Sequence, residues 1–317
     1  VKAFITGIAG FAGSYLASHL IRQGFEVSGT VRHSTRLDNL KPILHHIQLY
    51  ACDLLDRETV FNTIRDAKPD YIYHLAADSN VTASWDHSLD TLYNNIACQA
   101  HLLDAIRICH PGCRILIAGS SEQYGYVKPE ELPIKETNPF RPLNPYAVSK
   151  ISQEHLAYQN YKTYGLHTVI VRTFHHTGPG RSDNVVTSSF AKQIAEIEKG
   201  LKPPILHVGN LSAVRDFLDV RDVVRAYKLA LDCCEPGEAY NIASGHALSV
   251  NEMLTMLLSF SQASIEIQVD PLRLRPSDSA AVYAGYEKFH ARTGWKPEIP
   301  LEQTLLDLLN SWRAKLS

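Results

Sequence analysis

Lys2-Ala3-Phe4-Ile5-Thr6-Gly7-Ile8-Ala9-Gly10-Phe11-Ala12-Gly13 decides the fold. Residues 3–6 read as a short buried strand, and a helical pattern runs over 12–23. Gly7, Gly10 and Gly13 lie between and at the start of the helix. A strand, a glycine-rich turn and a helix in that order suit a dinucleotide pyrophosphate. The chain must turn tightly, let phosphate approach its backbone and pack the helix on the sheet. The helix start then offers free N–H groups and a positive dipole end. Phe11 and Ala12 supply the first of those N–H groups.

Outward from this turn, apolar runs alternate with helical patterns. Strands are expected at 26–31, 47–50, 71–75, 114–118 and 168–172, with helices at 57–66, 92–109 and 146–164. That rhythm implies an α/β fold, a doubly wound parallel sheet of the Rossmann type covered on both faces. After Arg172 the rhythm loosens. Gly and Pro punctuate 178–180 and 200–204, a helix is expected at 222–231 and a strand at 239–243. Helices are expected at 250–260 and 301–316, flanking a strand at 265–269. Residues 1–172 are expected to form the dinucleotide-binding domain, with segments near 215–243 returning to it. Residues 173–317 are expected to form mainly a smaller C-terminal lobe for substrate.

Composition excludes several classes. The 317 residues are 45% hydrophobic and 20% charged, with 31 basic against 33 acidic side chains and a net charge of -2. Such a balance gives no polyanion-binding surface, so no nucleic-acid partner is expected. The six cysteines form no Cys-x-x-Cys pair, which fits reduced thiols in the cytoplasm. The chain opens on a strand and holds no apolar run of membrane-spanning length, so neither leader nor membrane partner is expected. His175 and His176 are adjacent and would face opposite ways in extended chain, which argues against a metal site.

The end of the second strand sets cofactor choice. A carboxylate there would bind ribose hydroxyls. This chain has Arg32, whose fork suits a ribose phosphate. NADP(H) is therefore the expected cofactor, with NAD(H) the alternative. Asp53 and Leu54 follow the third strand, where Asp53 is placed to accept from an adenine amino group. Leu75, Ala76 and Ala77 end the fourth strand, and Asn95 sits on a helix expected to border the site.

Acid chemistry enters with Asn144-Pro145-Tyr146-Ala147-Val148-Ser149-Lys150. One helical turn separates Tyr146 from Lys150, so both point from one face. The ammonium is expected to lower the phenol pKa, giving a proton donor and acceptor near neutrality. Upstream lies Gly119-Ser120-Ser121-Glu122-Gln123-Tyr124-Gly125.

With these motifs together, the chain resembles the extended short-chain dehydrogenase/reductases that modify nucleotide sugars. The resemblance runs nearly end to end. Gly209-Asn210-Leu211-Ser212-Ala213-Val214-Arg215-Asp216-Phe217, Leu274-Arg275-Pro276-Ser277-Asp278 and Thr293-Gly294-Trp295-Lys296-Pro297 resemble the GDP-sugar branch. It implies NADPH-dependent reduction of the C4 ketone of GDP-4-keto-6-deoxy-D-mannose to GDP-D-rhamnose. The alternatives are 4,6-dehydration of GDP-mannose and a non-catalytic NADP(H)-binding sensor or scaffold.

By the same resemblance Ser120 is the catalytic hydroxyl, Tyr146 the acid, and Lys150 the ribose ligand that tunes the tyrosine. Glu122 is either a base acting on the sugar or a loop residue bonded to neighbouring backbone. Ser121, Glu122, His175, Arg181, Asn184, Lys192 and Asn210 fall on substrate-side positions, and Arg215 and Arg275 on the nucleotide diphosphate. His175 departs from the usual Asn. The resemblance also implies a homodimer through the helices at 92–109 and 146–164.

Overall fold

The computed structural model describes residues 1–274 and 279–316, so Arg275 lies outside the described residues. Seven parallel strands form the central sheet. Six of them are β1 (Lys2–Thr6), β2 (Glu26–Val31), β3 (Ile47–Ala51), β4 (Tyr71–His74), β5 (Arg114–Ser120) and β6 (His167–Thr173). The seventh, Ala239–Ile242, pairs with β6 at one edge, and the order runs inward through β5, β4, β1, β2 and β3. The order reverses between β1 and β4. A crevice opens beyond the carboxyl ends of strands at such a reversal.

Alternation within each strand explains the two covered faces. Ile5, Tyr73 and Leu116 point to one side, packed with Leu16 and Leu20 of α1 (Phe11–Arg22) and, further along the chain, Val223 and Leu231. Phe4, Ile72, Ile115 and Ile117 point to the other, against Ile64 of α2 (Arg57–Ala67). After the short α3 (Ala83–Asp86), α4 (Ser88–Cys109) adds Leu102 and Ile106, and α5 (Pro145–Tyr164) adds Ala157. Asn144 caps α5, accepting the Ala147 N–H at 2.8 Å, and Gly165 ends it in the left-handed region.

Beyond β6 the chain forms β7 (His175–Thr177), α6 (Val186–Glu198) and α7 (Val220–Cys233). α6 falls where the sequence reading had only a loosened rhythm. α7 returns to the sheet beside α1, while α6 heads a separate core. There Phe190 and Ile194 meet Met253, Leu257, Leu305 and Leu309. The helices Val250–Ser259 and Leu301–Lys315 contribute these residues. Arg215 sits in the short strand Val214–Arg215, bridged between Leu248–Ser249 and Ala281–Val282. Among the described residues no helix is long and apolar enough to cross a membrane.

Two glycines of the first turn answer to steric need. Gly7 has φ +71°, and a Cβ on it would lie 3.1 Å from the Ala76 backbone across the strand reversal. A Cβ on Gly13 would lie 2.3 Å from the Gly7 carbonyl oxygen. Gly13→Ala should therefore destabilise the protein by about 1–3 kcal/mol through forced backbone shifts. Denaturant melts check this, and an unchanged midpoint would contradict it.

Candidate active site

A cavity of about 1380 Å³ opens between the carboxyl ends of the sheet strands and the C-terminal core. Its floor begins at the glycine turn. Gly10 caps α1 without a side chain, so the first-turn N–H groups at Phe11, Ala12 and Gly13 are left to the cleft. Thr6 braces the turn from below. Its hydroxyl accepts the Leu75 and Ala76 N–H groups at 3.1 Å each and lies 2.9 Å from His74 Nδ1. Burial, and secondarily the Lys150 charge, push His74 down to about 3, so it stays neutral. Neutrality lets Nδ1 accept the threonine proton while the threonine oxygen receives two backbone donors.

Arg32, Asp53 and Leu54 line one arm of the cleft, and Leu75, Ala76 and Ala77 line its centre. Asp53 accepts the Leu55 N–H at 3.0 Å. Among the described residues the Arg32 guanidinium has no ion pair. Asn95 is placed differently. It is fully buried behind the wall, and its amide joins Ser149 at 2.9 Å to the backbone of Asp78 at 2.7 and 3.0 Å. Its neighbour Asn94 lines the cleft instead.

Ser120, at the end of β5, and Tyr146, in the first turn of α5, both line the cleft. Lys150 lies one turn on, with Nζ 5.8 Å from the Tyr146 ring centroid. Its ammonium donates to the Ala118 carbonyl at 2.9 Å. Burial lowers Lys150 to about 8. The expected acidification of Tyr146 is not what the structure shows. Burial dominates and holds the phenol well above its ordinary value, against the neighbouring Ser120 hydroxyl; Glu122 and Tyr227 also raise it, and Arg181 opposes them. Tyr146 therefore keeps its proton at neutral pH.

Ser121, Glu122, His175, Asn184, Asn210 and Arg215 also line the cleft. The Glu122 carboxylate accepts from the Asn144 amide at 2.8 Å, a side-chain rather than a backbone partner. Arg215 donates to the Val214 and Ser279 carbonyls at 2.8 Å each. Asn210 receives the Ser212 N–H and hydroxyl at 3.0 and 2.8 Å. Lys192 is not in the cleft wall, being held by Asp183 at 2.6 Å.

Arg181, expected on the substrate side, stacks 4.9 Å over the Phe11 ring at the start of α1. Its Nε is buried without a hydrogen-bond partner among the described residues. Sequence reading missed Tyr227 and Arg273, both in the lining. Tyr227 arrives on α7, with its hydroxyl 2.9 Å from Thr173 Oγ1, and no local pattern marks it. Arg273 stands two residues before Arg275, just ahead of the segment that the sequence singles out.

Strand reversal, glycine turn and the Ser-Tyr-Lys constellation thus open into one cleft. The family model for GDP-mannose 4,6 dehydratase matches residues 4–308. The chain belongs to that family. It is an extended short-chain dehydrogenase/reductase, an NAD(P)-dependent enzyme class acting on nucleotide sugars.

Two full-length relatives illustrate the range within the GDP-mannose dehydratase family. GDP-6-deoxy-D-mannose reductase of Pseudomonas aeruginosa is 34% identical over 99% of this chain and 98% of its own. GDP-mannose 4,6-dehydratase of Yersinia enterocolitica is 31% identical over 97% of this chain and 92% of its own. Among solved structures, RMD from Pseudomonas aeruginosa complexed with NADPH superposes with a TM-score of 0.86. It is 32% identical, covering 99% of both chains.

The Lys150 ammonium is the cation beside Tyr146, and it loses its proton as pH rises through about 8. The kcat/KM profile should therefore fall on the alkaline side near that pH. Lys150→Arg, which does not titrate there, should lack that limb. The same limb in the variant would refute the assignment.

Proposed function

We propose that this enzyme reduces the C4 ketone of GDP-4-keto-6-deoxy-D-mannose with NADPH, yielding GDP-D-rhamnose. The observation that carries this is the placing of Tyr146 with Ser120 and Lys150 in the cleft of the glycine turn. Reduction of a ketone needs a proton donor at the oxygen, and a phenol placed in this cleft can supply the proton. The full-length likeness to a GDP-6-deoxy-D-mannose reductase supports the same direction.

The residues present fit NADPH. Gly7 and Gly13 leave a cradle that a Cβ would fill. The orphaned Arg181 Nε over Phe11 suits the pyrophosphate, and the fork of Arg32 suits the ribose phosphate. Asp53, Leu54, Leu75, Ala76 and Ala77 would border the adenosine. When bound, the nicotinamide supplies the hydride.

The chain's own residues do the rest. Ser120 and Tyr146 hydrogen-bond the carbonyl oxygen, and that bonding strengthens as charge develops there. Tyr146 then gives its proton to O4. Lys150 stabilises the phenolate left behind. Arg215 and Arg273, with Arg275, hold the diphosphate, while Ser121, His175, Asn184 and Asn210 surround the sugar and nucleotide.

Glu122 favours a second reading. A carboxylate two residues past Ser120 and facing the cleft suits proton abstraction from the sugar, as 4,6-dehydration requires. Incubation with GDP-mannose alone separates the two readings. A dehydratase forms the keto sugar without added reductant; the reductase acts only on the keto sugar with NADPH. Glu122→Gln keeps an oxygen for Asn144 and should leave reduction within about threefold, whereas loss of a general base costs about 10²–10⁴-fold. We also infer a homodimer, because α4 exposes Leu89, Tyr93 and Ile108 and α5 exposes Val148, Tyr158 and Tyr164.

Tyr146→Phe should lower kcat by about 10²–10⁴-fold and leave NADPH affinity within about twofold. Steady-state kinetics and fluorescence titration check this, and turnover near wild type would overturn the proposal. Arg32→Asp should weaken NADPH far more than NADH, since only NADPH carries the ribose phosphate. Equal losses would reject NADP preference.

A further inference from the structure

The turn that carries Ser120 is tied to α5 by a side chain that the chemistry above leaves unused. Gln123 is completely buried. Its side-chain oxygen accepts the Ser120 N–H at 2.8 Å, and its amide donates to Glu154 Oε2 at 2.7 Å. Glu154 stands four residues after Lys150 and eight after Tyr146, on the same face of α5. Its two oxygens are also gripped by the Arg172 guanidinium at 2.5 and 3.0 Å. Room for the Gln123 oxygen exists because residue 119 is glycine. A Cβ there would lie 2.5 Å from that oxygen.

A second tie lies one residue earlier. Asn144 donates to Glu122 at 2.8 Å while capping the first turn of α5. The Ser121–Gln123 turn is thus pinned to α5 before Tyr146 and again after Lys150. Both catalytic side chains lie between the pins.

We propose that Gln123 is a positioning residue: its bridge from the Ser120 backbone to Glu154 sets the Ser120 hydroxyl against the Tyr146 phenol. Ser120 ends a strand and Tyr146 begins a helix, and no backbone ladder links those two ends. Their spacing depends on side chains, and hydrogen bonds to a developing oxyanion tolerate only small displacements. Gln123 bonds the backbone of one catalytic residue and the helix face of the other. The Arg172 ion pair keeps Glu154 fixed from behind, so the bridge has a rigid far end.

This inference rests on the reaction proposed above and deepens it. The test is a double-mutant cycle on NADPH-loaded enzyme with wild type, Gln123→Leu, Ser120→Ala and the double variant. Gln123→Leu keeps most of the volume and removes both hydrogen bonds. It should lower kcat by about tenfold or more, the loss expected when reacting groups leave register. KM for NADPH should stay within about twofold. In the Ser120→Ala background the same replacement should cost less than about twofold, because the group it positions is gone.

Equal fold losses in both backgrounds, or an unchanged kcat in Gln123→Leu, would overturn the proposal. Should Gln123→Leu fail to fold, Gln123→Asn is used. It stays polar but is one methylene too short to span both partners, and the same two outcomes apply. The wild type is first given the GDP-keto sugar with NADPH and, separately, GDP-mannose, and the cycle is run on whichever it converts. A wild type inert toward the keto sugar ends the reductase reading; additive losses end the positioning role.

Discussion

Burying an ammonium without a carboxylate is the constraint on which this site is built. Lys150 sits in the interior with one backbone carbonyl as its hydrogen-bond partner and no ion pair among the described residues. A cation so placed is destabilised, and its depressed pKa is the measure of that. What surrounds it is arranged not to add to the cost. His74 stays neutral, and its ring nitrogen serves the Thr6 hydroxyl instead of carrying a second charge. Arg181 and Arg32 also face the cleft without ion pairs among the described residues. Three cations so disposed favour the arrival of negative charge, whether phosphate or a phenolate formed during turnover.

The C-terminal lobe is attached with the same economy of buried charge. Asp216, next to Arg215, is fully buried and accepts the Ser244 and Gly245 N–H groups at 2.7 and 3.1 Å. Burial outweighs those bonds and raises it to about 6. Asp219 caps α7 and accepts the Thr304 hydroxyl at 2.8 Å. These two aspartates join the strands carrying Arg215 to the edge of the sheet on one side and to the last helix on the other. The arginine's place over the cleft is therefore a property of the fold and not of a free loop.

What was legible in the sequence was what is local. The glycine turn, the strand-helix rhythm and the Tyr146–Lys150 spacing each live within a dozen residues, so periodicity and steric need expose them. What was not legible depends on partners far along the chain. Asn95 looks like a cleft residue by position, but tertiary packing turns its amide onto Asp78 and Ser149. Lys192 is taken by Asp183, and Arg181 lines the cleft stacked on the Phe11 ring. Gln123 reads as an ordinary polar residue until Glu154 is placed opposite it. The direction of the Tyr146 shift is hidden for the same reason: proximity to Lys150 is visible in spacing, whereas the depth of burial that sets the shift is not.

The central claim is that Tyr146 acts as an acid while hydride reaches C4 of a GDP-keto sugar. The most direct measurement follows the label. NADPH deuterated at the transferring position is supplied with GDP-4-keto-6-deoxy-D-mannose, and the product is read by NMR. The account predicts one deuterium at C4 of a GDP-deoxyhexose. Absence of label from the sugar, together with migration of deuterium from C4 to C6 when GDP-[4-²H]mannose is supplied alone, would contradict it.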